Sequence, residues 1–137
     1  MRHAWTIGCN RCIIDSETNN ATLSEVIEQI NLAGPLRFPV TVPVQLDLVS
    51  TFYRTNEDVA ERGRARVSVL HPGGEREPTQ EIAVDLSTHF RSRLITRVAG
   101  LPVSGPGLYF ILVEQFNEAE NTWPEVARVP FSVAYAV

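Results

Sequence analysis

Val40-Thr41-Val42-Pro43-Val44-Gln45-Leu46-Asp47-Leu48-Val49-Ser50-Thr51-Phe52 alternates apolar and polar residues over most of its length. Val40, Val42, Val44, Leu46, Leu48 and Phe52 share one parity, and Thr41, Pro43, Gln45, Asp47 and Thr51 the other. A strand turns successive side chains to opposite faces, so the pattern predicts a half-buried β-strand with one core face and one solvent face. Pro43 brings no N–H to a ladder, which places its part of the strand on an edge.

Outward from this run the same period recurs. Ala65, Val67 and Val69 precede the turn His71-Pro72-Gly73-Gly74, and Ile82, Val84 and Leu86 follow it, as in a hairpin. Its polar faces predict cross-strand pairs of Arg64 and Arg66 with Glu81 and Asp85. Residues 94–98, 108–116 and 126–135 complete a set of seven or eight strands, the last with Val129, Phe131, Val133 and Tyr135 in phase. Short strands separated by turn signals, with no recurring helical crossover, predict an all-β chain. The expected fold is one domain over residues 1–137, an antiparallel β-sandwich of immunoglobulin-like or C2-like type. One segment departs from the period. Leu23, Val26, Ile27 and Ile30 recur at helical spacing behind a Thr22/Glu25 capping box, so local rules read residues 23–31 as a short helix.

The 137 residues are 44% apolar and 20% charged, enough to bury a core without disulfides or metals. All 12 basic positions are Arg, and the absence of Lys excludes a P-loop, a Schiff-base enzyme and a Ser-Lys hydrolase. A net charge of -4 opposes sequence-independent nucleic-acid binding. No apolar run approaches a membrane span, and Met1 to Thr6 lacks the apolar centre of a secretory signal, so a cytoplasmic location is expected.

Cys9-Asn10-Arg11-Cys12 is a CxxC pair, but His3, His71 and His89 are not spaced as a second pair of zinc ligands, and Trp5, Ile7 and Cys9 alternate as in a strand rather than opening a helix. A bulge at Asn10-Arg11 would bury Cys9, Cys12 and Ile14 with Trp5 and Ile7, and the thiols are read as buried and structural. No GxSxG elbow or GxGxxG is present, and residues 15–26 fail as an EF-hand. Arg91, Arg93 and Arg97 share strand parity close to His89, and these four are the candidates for an anionic ligand. If strands alternate in direction, residues 15–21, 53–63, 87–92 and 117–124 gather at one oxygen-rich end, with Asp15, Glu17, Asp58 and Glu118 as ligand-facing candidates. The tight turns at 33–35, 71–74 and 101–107 then gather at the other. A Ca²⁺ site at the oxygen-rich end requires at least three converging carboxylates, and the expectation is that these loops cluster without holding a metal.

Cys12 to Ile30, with Asp15-Ser16-Glu17-Thr18-Asn19-Asn20 at its centre, together with Pro72-Gly73-Gly74, Leu101-Pro102-Val103 and Pro106-Gly107-Leu108-Tyr109-Phe110, resembles a bacterial family of unknown function. The resemblance implies a small β-sandwich in which the Asp-to-Asn segment is a hairpin loop and Leu23 to Ile30 its return strand. It is followed here in preference to the helical spacing, because tertiary pairing routinely overrides local propensity. The Pro-Gly-Leu-Tyr-Phe run is also similar to the penultimate strand of immunoglobulin-like sandwiches, which gives Tyr109 the role of a corner anchor.

No complete catalytic constellation is legible, so the expected function is a non-enzymatic binding or assembly module of a bacterial cytoplasm. Its partner is an unknown protein, with no nucleic acid, membrane, metal or cofactor, and pairing of exposed strand edges makes a homodimer one expected assembly. The alternatives are a Ca²⁺-binding loop end of C2 type, or an enzyme acting on an anionic small molecule through His89 and the three Arg.

Overall fold

The computed structural model describes residues 1–136, and among them there are strands and turns but no helix. The strands are β1 (Arg2–Ile14), β2 (Ala21–Val26), β3 (Gln29–Leu32), β4 (Val40–Val42), β5 (Leu46–Tyr53), β6 (Glu61–Leu70), β7 (Gln80–Leu86), β8 (Arg91–Val98), β9 (Leu101–Val103), β10 (Gly107–Gln115) and β11 (Glu125–Tyr135). They form a four-stranded sheet in the order β2-β1-β5-β8, a five-stranded sheet in the order β3-β11-β10-β6-β7, and the pair β4-β9. The strand pairs are antiparallel except β3 with β11, which is parallel.

Eleven strands stand where the spacing predicts seven or eight, and Pro43 accounts for one division. The expected single strand over 40–52 breaks there: Val44 N donates back to Val42 O, β4 leaves to pair with β9, and β5 enters the centre of the four-stranded sheet. Leu46 and Leu48 of β5 share a core with Tyr109 and Ile111 of β10 and with Phe131 and Val133 of β11. Phe52 continues that face against Ala65, Val84, Leu86 and Val113.

The opposite face of β5 is not the solvent face the alternation predicts. Asp47, Val49 and Thr51 are as buried as their neighbours. The cover is the β1–β2 hairpin. The first part of β1 pairs with β5 as far as Cys9 opposite Asp47, and from Cys9 onward the strand pairs with β2 instead. Cys9 and Cys12 then pack on Val49, with Ile14, Ala21, Leu23 and Ile95 around them. The backbone N–H of Cys12 donates to Asp47 Oδ2 at 2.8 Å and pins the hairpin to the sheet.

This arrangement corrects two sequence expectations. Residues 23–31 hold no helix: Ala21 and Leu23 face the Cys9–Val49 cluster, whereas Ile30 and Leu32 enter the main core from β3. The apolar residues serve two separate cores, which one short helix could not reach, and so few residues form only a marginal helix alone. The resemblance's hairpin loop is found, but its return strand is shorter than Leu23 to Ile30: β2 ends at Val26, and Ile30 lies in β3, which crosses to the five-stranded sheet. Both thiols are free and buried, as expected, but the register with β2 is unbroken across Arg11, and the irregularity in β1 lies between His3 and Trp5. Trp5 accordingly lies on the surface, 37% exposed.

The β6–β7 hairpin forms as expected, with Arg64–Glu81 at 3.1 Å, but the partner of Asp85 is Arg62, at 3.7 Å, directly opposite it in the ladder. Arg66 departs from the prediction. It lies opposite Glu81 on one side and Glu114 on the other, and it takes the buried Glu114 at 3.1 Å, which Arg76 also holds at 2.9 Å. An acceptor withdrawn from water needs its donors more than an exposed one does.

At the far end of the molecule, Tyr109 makes the expected corner: its buried ring carries a hydroxyl that donates to Gly105 O at 2.6 Å and accepts from Ser104 N at 3.1 Å. Gly107 keeps the neighbouring turn close, since a Cβ there would come within 2.7 Å of Pro72, and its φ of +149° suits glycine.

Asp47→Ala removes the acceptor for the buried Cys12 N–H, and a loss of about 1–3 kcal/mol is expected in urea unfolding. The native protein's thiols should react slowly with a thiol reagent, because burial, with Cys12 and Asp47 adjacent, raises the Cys9 pKa. The same variant should speed that reaction; equal rates in both proteins would show that Asp47 does not hold the hairpin.

Candidate functional site

The hairpin does not cover the outer face of β5 and β8 completely, and a pocket opens at each margin. β8 sets Arg91, Arg93, Ile95 and Arg97 opposite Tyr53, Thr51, Val49 and Asp47 of β5, on one face as their shared parity predicts. Ile95 lies under the hairpin. Arg91 and Arg93 emerge on one side of it and Arg97 on the other.

The first pocket, about 330 Å³, is lined by Trp5, Asn19, Asn20, Ala21, Thr51, Arg91 and Arg93. Half-buried Arg93 donates from Nη2 to Asn19 O at 3.0 Å, which ties the hairpin tip to the strand. Arg91 is exposed and makes no ion pair or side-chain hydrogen bond among the described residues. Thr51 is 3% exposed, and its Oγ1 has no hydrogen-bond partner. The lining thus offers two guanidinium groups, two side-chain amides, a hydroxyl and an indole, with no carboxylate. Guanidinium forks and amide donors are complementary to a carboxylate or phosphate, and an indole face suits a flat apolar group.

The second pocket, about 290 Å³, contains Arg11, Gln45, Asp47 and Arg97. Arg97 Nε stands 3.8 Å from Asp47 Oδ1, an atom without a hydrogen bond. The carboxylate gives this pocket a different chemistry from the first. Of the four anionic-ligand candidates, Arg91 and Arg93 come together, Arg97 is set apart with Asp47, and His89 lies exposed with its Nδ1 2.9 Å from Thr88 Oγ1, outside both linings.

The loops predicted to share the oxygen-rich end do meet there in part. Arg54 is the joint that sequence reading missed: its backbone N donates to Phe90 O, and its guanidinium donates to Leu86 O, Ser87 O and Glu57 O. No motif marks it, because its acceptors are backbone carbonyls contributed by two loops and the end of β7. Gln115 Nε2 reaches Met1 O beside these loops, and the amino terminus pairs with Glu61. Residues 15–21 arrive by the hairpin folding back, not by simple alternation of strands.

Asp15, Glu17, Asp58 and Glu118 do not converge. Among the described residues no group of three His, Cys, Asp or Glu side chains comes together as metal ligands would. Asp15 serves its own loop instead, its Oδ1 accepting from Glu17 N and Thr18 N at 2.8 Å.

At the other end the turns at 71–74 and 101–107 meet around His71. Its Nδ1 lies 2.9 Å from Ser104 Oγ and its Nε2 2.5 Å from Glu77 Oε1, beside a cavity of about 370 Å³ lined also by Phe38, Pro39 and Glu75. Sequence reading missed this group, since positions 71, 77 and 104 form no motif.

The amide bonds from Thr18 and then Glu17 hold the Asp15 carboxyl below the usual carboxylate range. A depressed pKa stabilises the fold above the unfolded value, and the contribution is lost as pH falls through the folded value. In an NMR titration Asp15 should therefore protonate below an unstructured Asp, and the amide signals of Glu17 and Thr18 should move with it. A midpoint at the unstructured value would mean that the loop is not closed by Asp15.

No protein-family model matches the chain, and neither does any curated protein.

Proposed function

We propose that this protein is a cytoplasmic binding module whose ligand-facing surface is the Arg91–Arg93 pocket, and that the pocket takes the anionic group of a small ligand. The observation that carries this reading is the pair of guanidinium groups in a lining without a carboxylate, on a chain whose net charge is -4. Several other Arg side chains are held by acids: Arg66 and Arg76 by Glu114, Arg64 by Glu81, Arg128 by Glu125. Arg91 has no such commitment, and Thr51 adds a buried hydroxyl without a partner. Trp5 supplies a surface for the body of the ligand.

The architecture we infer is an immunoglobulin-like sandwich. Its support is the core shared by the two larger sheets, the Tyr109 corner, and β3 lying parallel beside the last strand. Two free buried thiols suit a reducing compartment. No helix among the described residues is long and apolar enough to cross a membrane.

Phenyl phosphate is a suitable probe, with an anion for the Arg pair and a ring for Trp5. It should raise the melting temperature and change Trp5 fluorescence, an assignment checked in Trp5→Phe. Arg93→Ala and Arg91→Ala should each weaken binding about tenfold, the equivalent of one charge-assisted hydrogen bond. Binding that is absent, or undiminished in both variants, would refute the reading.

A further inference from the structure

The His71 group lies at the other end of the fold and is independent of the anion pocket. Its proton inventory follows from chemistry. An ionised carboxylate only accepts hydrogen bonds, so the imidazole nitrogen 2.5 Å from Glu77 Oε1 carries a proton. In the neutral ring Nδ1 then holds a lone pair, and the Ser104 hydroxyl 2.9 Å away donates to it. The chain Ser104–His71–Glu77 is therefore hydroxyl, base and orienting acid in the hydrogen-bonded order that activates a serine, with the ring nitrogens exchanged relative to the usual triad: Nδ1 faces the serine and Nε2 the acid.

Burial runs in the direction that reactivity requires. His71 is 6% exposed and its ring packs on Tyr109 at 5.1 Å, so the base is fixed, while Ser104 is exposed beside the cavity. Tyr109 also fixes the serine backbone: its Oη accepts from Ser104 N at 3.1 Å and donates to Gly105 O at 2.6 Å. The Gly105 N–H has no hydrogen-bond partner among the described residues, and the amide following a nucleophilic serine is a common donor to the oxyanion.

We propose that Ser104 is a nucleophile, with His71 as its general base and Glu77 as the positioning residue, acting on uncharged esters with an apolar acyl group. Phe38 and Pro39 give the cavity an apolar wall, and Glu75 and Glu77 disfavour an anionic substrate. Ser104 Oγ forms a bond to the carbonyl carbon as its proton passes to His71 Nδ1. Collapse of the tetrahedral intermediate breaks the bond to the alkoxide, which takes that proton and leaves as the alcohol. Water repeats the sequence on acyl-Ser104 and releases the acid.

The test uses the full chain and an alkyl fluorophosphonate, whose P–F bond breaks as Oγ–P forms and whose fluoride leaves with the serine proton. Mass spectrometry should find one adduct, on Ser104, and none in Ser104→Ala. His71→Gln can replace both hydrogen bonds without acting as a base, and it should slow labelling on the order of a hundredfold. Glu77→Gln should slow it as well and Glu77→Asp restore part of the rate, with circular dichroism confirming that each variant is folded. Hydrolysis of p-nitrophenyl acetate should fall in the same order. No adduct on Ser104, or undiminished labelling in folded His71→Gln or Glu77→Gln, would overturn the proposal.

Discussion

β5 is covered on both faces, and much of the molecule follows from that. Its even positions Leu46, Leu48 and Phe52 meet the five-stranded sheet, which is ordinary for a strand of this composition. Its odd positions are buried too, although two of the three are polar: Val49 lies under the folded-back hairpin, with Asp47 and Thr51 at its margins. A buried carboxylate without a donor is costly, and the Cys12 amide answers Asp47 Oδ2. The change of β1's partner at Cys9, the burial of both thiols, and the place of the Asn19 tip beside Arg93 accompany that contact.

Both outer-face pockets come from the same constraint. The hairpin covers Val49 and Ile95 and stops short of Thr51 and Asp47, leaving one oxygen of each without a hydrogen bond. Each of these oxygens lies beside Arg side chains of β8, so similar local geometry yields two chemistries. At Thr51 the hydroxyl leaves the pocket positive; at Asp47 the carboxylate opposes Arg97.

The use of Arg throughout the chain fits what the structure asks of it. Arg66 and Arg76 share the Glu114 carboxylate, while Arg64 and Arg66 lie over the rings of Phe116 and Trp123 at 3.9 and 4.3 Å. Arg54 spreads three donors over carbonyls of two loops and the end of β7. A planar, delocalised cation with several donors does both tasks, and an ammonium group would do neither as well. Arg91 has no such engagement and lines a pocket without a carboxylate.

The residues alone determined the all-β class, the β6–β7 hairpin and its Arg64–Glu81 pair, the buried thiols, and the common face of Arg91, Arg93 and Arg97. These depend on period, turn chemistry and parity, which act over a few residues. The Tyr109 corner and the Leu23 strand came through resemblance, since local spacing favoured a helix for the latter. Tertiary structure alone decided that β5 has no solvent face, that Arg66 chooses Glu114, that Arg97 parts from Arg91 and Arg93, and that His71 meets both Glu77 and Ser104. Each of these is a contact between segments distant in sequence or a choice between competing partners. Burial settles such choices, because the cost of an unsatisfied polar group depends on what covers it, and strand period carries no record of the cover.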